Sequence, residues 1–133
     1  MMIHFPVAAL IGLVGADAAF LFTADAFWSR VGLWLAGVGA LGGWAASLAG
    51  LVDLIFVRRI RGMITAWGHA LIAVMMLSMA SLNWLLRLGD DPGARLMPWG
   101  LALTLLTSGF IALAAYLGGR LVYEHAVGVD TND

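Results

Sequence analysis

The sequence predicts an all-α protein, a transmembrane up-down-up-down four-helix bundle forming a single domain over residues 1–133. Three observations predict it. Hydrophobic residues make up 62% of the chain and charged residues 11%, against roughly 25% charged in an average soluble domain. A soluble domain of this length could not hide so much apolar surface, so lipid is the solvent for most of the chain. The apolar residues fall into runs at about 5–22, 31–57, 63–86 and 97–121, each near the ~20 residues that cross a bilayer. The connections between the runs are short, which makes successive helices antiparallel neighbours.

Each element has its own local justification. Pro6 suits the first turn of span one, where its missing N–H does no harm. No Arg precedes that run, so a cleaved secretory signal is not expected. Span two carries Gly39, Gly43, Ala46, Gly50 and Asp53 at alternating spacings of four and three, one stripe of small residues ending in a carboxylate. A similar stripe is expected on span one from His4, Ala8, Ile11, Gly15 and Ala18. Span three aligns His69, Ala73, Met76, Ala80, Asn83 and Arg87. The loop Gly89-Asp90-Asp91-Pro92-Gly93 leads to span four, where Thr107, Ile111, Ala114, Gly118 and, if the helix continues, His125 share a face. Residues 128–133 read as a polar, frayed tail.

Charge sets an expected orientation. Arg58, Arg59 and Arg61 crowd the short second loop, and Arg120 lies near the end of span four on the same face; Arg30, Arg87 and Arg95 belong to the other. The positive-inside rule then places both termini and the second loop in the cytoplasm, in a bacterial cytoplasmic membrane. Trp28, Trp84 and Trp99 lie near the opposite interface, as an aromatic belt would.

Composition also excludes function classes. The chain has no cysteine, which removes disulfides, thiolate metal sites and iron–sulfur ligation. A net charge of −1 without a basic stacking platform gives no reason to expect nucleic acid. Ser–His–Asp arrangements, phosphate loops and paired catalytic carboxylates are missing at any recognisable spacing. An electron carrier or binding protein is expected rather than a stand-alone enzyme.

The polar residues inside or beside the spans are the functional candidates, because polar groups in lipid are costly. Antiparallel threading puts His4, Asp53, His69 and His125 at the same membrane face. Imidazole is the commonest metal ligand and a haem axial ligand, so His4, His69 and His125 are candidate ligands and Asp53 a candidate ligand or acceptor orienting a histidine. Arg58, Arg59, Arg61 and Arg120 could meet haem propionates; topology determination explains the same arginines. The glycines of span two either let helices pack closely or clear space for a flat macrocycle. Toward the other face, Asp17 requires a partner, and Arg87, near Asn83 at similar depth, is the natural one.

These residues resemble the motifs of a bacterial membrane family catalogued as domain of unknown function 2231. The start His4-Phe5-Pro6 is similar to the family's His-Phe-Pro opening, and Gly50-Leu51-Val52-Asp53 to its Gly-x-x-Asp element. Trp67-Gly68-His69-Ala70 and Arg87 are again family-like. The end, from Gly119 through Leu121-Val122-Tyr123-Glu124-His125 to Val129, resembles the closing Gly-x-Leu-Val-Tyr-x-His-Gly-Val-Gly-Val signature, with Ala126 where that signature has Gly. The resemblance covers nearly the whole chain and implies four spans. It brings no established activity, although some relatives join this domain to a Rieske-type iron–sulfur domain, which points to electron transfer.

The leading expectation is a small haem b protein of the redox membrane, with two of the three histidines as axial ligands. His4 and His69 are one pair, on helices that lie diagonally in an up-down bundle; His69 and His125 are the other. A redox partner protein or a quinone would exchange the electron. A non-haem zinc or iron site of three imidazoles with a carboxylate or water is the alternative. A structural subunit of a larger membrane complex, or a homo-oligomer, is the third reading, with the glycine-rich helix as a docking face.

Overall fold

The computed structural model describes residues 3–127, so the tail expected over 128–133 lies outside the described residues. The elements are α1 His4–Thr23, α2 Ala26–Phe56, the short α3 Arg58–Arg61, α4 Ile64–Leu86 and α5 Leu101–Tyr123, with a wide turn at Leu96–Gly100 entering α5. Four of these stretches, α1, α2, α4 and the turn with α5, are long and apolar enough to cross a membrane. The protein is an integral membrane four-helix bundle. α1 and α4 each pack against α2 and α5, so α1 and α4 face each other diagonally, as the up-down threading requires.

Two boundaries differ from the sequence expectation. α2 starts at Ala26 rather than near 31, because the Asp25 carboxylate accepts the Phe27 N–H at 2.8 Å and caps the helix. Arg30 therefore sits inside the first turns with its side chain exposed, and it does not delay the helix. α1 stops just before, at Ala24, which takes a left-handed φ of 55° and returns its N–H to the Phe20 carbonyl. Regular helix in the last span begins at Leu101 rather than near 97. Met97 is extended, at φ −101° and ψ 135°, as expected for a residue preceding proline.

The core is thin and made largely of small residues. One apolar cluster joins Leu10, Ala40, Met76, Leu77, Ala80 and Ile111 across all four spans. A second joins Leu54, Ala66 and Leu121 near α3. With no hydrophobic effect driving helices together in lipid, close backbone approach matters most. A methyl group added at Gly39 would overlap Leu10, and one at Gly43 would overlap Leu77.

Near the α1–α2 turn the bundle is joined by charge. Arg87 is 1% exposed and Asp17 1%. The guanidinium donates to the carboxylate twice, Nη1 to Oδ1 at 2.6 Å and Nη2 to Oδ2 at 2.8 Å. Its Nε donates to Asn83 Oδ1 at 2.9 Å. The Asn83 amide donates to Thr104 Oγ1 at 2.9 Å, and the Thr104 hydroxyl donates to Asp17 Oδ2 at 2.7 Å. The expected Asp17–Arg87 partnership is thus formed, and Thr104 closes it into a ring. α2 contributes by absence: a methyl at Gly32 would come within 2.7 Å of Arg87 Nη1 and 3.3 Å of Asp17 Oδ1.

Removing one partner leaves a buried charge uncompensated. Asp17→Ala is expected to cost about 3–5 kcal/mol of stability, measured by unfolding of the detergent-solubilised protein. The double variant Asp17→Ala/Arg87→Met should recover part of that loss, so the two single effects will not add. A loss below about 1 kcal/mol in Asp17→Ala would show that the pair does not hold this end together.

Candidate functional site

The opposite end of the bundle is open where the charged end is filled. A cavity of about 310 Å³ lies among the start of α1, the second half of α2, α3, the first half of α4 and the end of α5. The whole α2 stripe, Gly39, Gly43, Ala46, Gly50 and Asp53, lines it. The small residues leave the space. Trp44, Leu48 and Val74, which also line it, are exposed on the outer surface of the bundle. The cavity wall therefore continues onto the surface that faces acyl chains.

His69 is the one imidazole in that wall. It sits in the second turn of α4 and is partly buried. Its Nδ1 lies 3.0 Å from the Ala114 carbonyl oxygen of α5. Only a protonated Nδ1 can make that bond, since the carbonyl has no hydrogen to give. The neutral ring then carries its lone pair on Nε2, the form that binds metals. Gly118, one turn beyond Ala114, faces the same ring: a methyl there would stand 3.4 Å from His69 Cε1 and 3.6 Å from Nδ1, ordinary contact distances.

Asp53 also lines the cavity, at the end of α2. Its carboxylate is exposed and forms no ion pair with Arg58 or Arg59 among the described residues. Its backbone carbonyl accepts the Val57 N–H at 3.0 Å and closes the helix.

The other two histidines are placed differently. The expected inward stripe of α1 faces outward: His4, Ala8, Ile11 and Gly15 are exposed, and the buried face is Pro6, Ala9, Leu10, Leu13, Ala16 and Asp17. Small residues mark packing faces poorly when every face of a helix is apolar. His4 is therefore beside the cavity rather than in its wall, although its neighbours Ile3, Pro6 and Val7 line it. α5 ends at Tyr123, so His125 does not continue the helical face through Thr107, Ile111, Ala114 and Gly118. His125 lies in the following turn, where its carbonyl accepts a hydrogen bond from Arg59 Nη2. Ala126 beside it has a left-handed φ of 50°, a conformation that favours glycine, the residue that the resembled closing motif carries there. Val127 returns to the cavity wall. Among the described residues, no group of three His, Asp or Glu side chains is placed to hold a metal ion. The expected set of His4, His69, His125 and Asp53 is not gathered on one point.

The arginines lie outside the wall. Arg58, Arg59 and Arg61 are exposed on α3. Arg120 pairs with Glu124 one turn on, through contacts of 2.7–2.9 Å. It borders a shallow groove with Tyr116 and Tyr123. Hydrogen bonds from Arg120 hold the Glu124 carboxyl below the usual carboxylate range.

Sequence reasoning missed Thr104 and the Ala114 carbonyl. Thr104 carried a signal, a hydroxyl in span four at the depth of Asp17 and Asn83. Ala114 carried none of its own, since the acceptor is backbone; only Gly118, one turn along the same face, marked the place.

No curated protein and no solved structure matches the chain. A family model described as "Predicted membrane protein (DUF2231)" matches residues 1–131, and the chain belongs to that family.

Proposed function

We propose that the cavity receives a haem b and that His69 would hold its iron. The observation that carries this reading is the Nδ1 bond from His69 to the Ala114 carbonyl. It fixes the ring in the cavity wall and leaves Nε2 as the lone-pair nitrogen; such outer bonds orient ligating histidines and raise their basicity. The surroundings fit a flat apolar ring: glycine and alanine on α2, and Ala70, Ala73, Met76 and Leu77 on α4. When bound, a haem would supply one-electron chemistry. The chain's own part is to hold the imidazole, keep water from the apolar wall and leave a side open toward lipid.

A second ligand comes from the rim. Ile3 and Val127 line the cavity, so the segments bearing His4 and His125 both border it, and either imidazole would supply that ligand once a local change of the chain end turned it inward. With a haem bound, a membrane-dissolved quinone or a protein would exchange the electron. The termini and α3 face the cytoplasm of a bacterium, following the arginines of α3. The non-haem alternative has less support, because three ligands do not converge among the described residues.

The purified protein is expected to show a Soret band that shifts on dithionite reduction. His69→Ala should abolish it. Of His4→Ala and His125→Ala, one should lose the bis-imidazole spectrum and the other keep it. Full haem occupancy in His69→Ala, or wild-type protein without haem after expression with haem supplied, sinks the reading.

A second expectation comes from shape. Ala73 lies one turn beyond His69 and lines the cavity. Ala73→Phe should lower haem occupancy by tenfold or more, an effect of about 1.4 kcal/mol, while the unfolding midpoint of the haem-free protein stays near wild type. Undiminished occupancy would place the cofactor elsewhere.

A further inference from the structure

We propose that α3 binds the phosphate of an anionic phospholipid headgroup. The segment joins two membrane spans, Ala26–Phe56 and Ile64–Leu86, so it lies at a bilayer surface. Its four residues divide by environment. Ile60 is partly buried against the cluster of Leu54, Ala66 and Leu121. Arg58, Arg59 and Arg61 are exposed around it. The apolar anchor thus fixes the turn and turns the guanidinium groups outward.

Their hydrogen-bonding capacity is largely unspent. Among the described residues none of the three is within ion-pair distance of a carboxylate. Glu124, near the end of the span on the same face, is held by Arg120. Arg59 gives one N–H to the His125 carbonyl, and Arg61 gives one to the Ile55 carbonyl at 3.4 Å. A guanidinium has five N–H donors in a fixed fork suited to phosphate. Trp67, 52% exposed, donates its indole N–H to the Arg61 carbonyl at 2.9 Å. An amphipathic indole there is placed for the headgroup layer. Cations grouped beside a bilayer, with no carboxylate paired to them among the described residues, attract anionic lipid. Phosphatidylcholine offers the same phosphate, but its choline cancels the charge.

The test uses the purified full chain in neutral detergent, titrated separately with phosphatidylglycerol, phosphatidylcholine and inorganic phosphate, with the thermal unfolding midpoint as the readout. Phosphatidylglycerol should raise the midpoint at concentrations about tenfold below those at which phosphatidylcholine acts. Arg58→Gln/Arg61→Gln should keep the wild-type midpoint in plain detergent and lose the phosphatidylglycerol response. Arg30→Gln, an exposed arginine on the other face, should keep that response. Equal responses to the two lipids, an undiminished response in the double variant, or an equal rise with inorganic phosphate would each overturn the proposal. The readout needs no haem, so it stands or falls apart from the cavity reading.

Discussion

The bundle depends on one buried ion pair. Acyl chains donate and accept no hydrogen bonds, so Arg87 and Asp17 each become costly wherever they lack each other. The geometry answers that cost fully. Both carboxylate oxygens accept from the guanidinium, Nε finds Asn83, and Thr104 bridges back to Asp17. Three helices must meet for those bonds to form, and the fourth must offer Gly32 rather than a side chain. A non-specific collapse of apolar helices has no such requirement. The pair therefore specifies which helices meet and at what depth, while leucine and alanine contacts fill in around it.

Fixing one end leaves the other free to carry space. Asp17, Asn83, Arg87 and Thr104 are each no more than 1% exposed. Toward α3 the same four helices enclose a cavity, with Gly39, Gly43, Ala46 and Gly50 of α2 in its wall. In a soluble protein such a void would cost stability through lost packing. In lipid, where its wall is exposed at Trp44, Leu48 and Val74, acyl chains can enter and soften that cost. His69 is the exception to the apolar wall. Its bond to Ala114 satisfies Nδ1 and leaves Nε2 without a hydrogen-bond partner among the described residues. The ring is thus half satisfied by the fold, unlike Arg87, whose needs the fold meets.

The sequence showed the spans and the buried pair because each rests on a cost that sequence alone reveals. A run of about twenty apolar residues must cross, and Asp17 must meet a cation at its own depth, which antiparallel threading assigns to Arg87. The inward faces were harder. The α4 stripe from His69 to Arg87 is read correctly because it contains residues that lipid would penalise. The α1 stripe from His4 through Ala8, Ile11 and Gly15 contains mostly residues that lipid accepts, and it points outward. The stripe on α2 does line the cavity, but its glycines alone did not distinguish packing from space: Gly43 abuts Leu77, whereas nothing lies within 4 Å of a methyl placed at Gly50. Convergence of the histidines depended on where the chain ends run, and helical periodicity stops at Tyr123 before it reaches His125.

The arginines sort by what each has to neutralise it. Arg87, in the interior, has a carboxylate and two further acceptors. Arg120, at the surface, shares a carboxylate with water, an arrangement worth little in stability. Arg59 is tied to a carbonyl, which accepts a hydrogen bond but cancels no charge. Arg58 and Arg61 likewise keep their full charge among the described residues. All seven basic residues are arginine, the side chain whose several donors can satisfy a protein acceptor and still reach a second anion. At the buried end that capacity closes a ring within the protein. At α3 it remains directed at the membrane surface, where the matching anion belongs to the lipid.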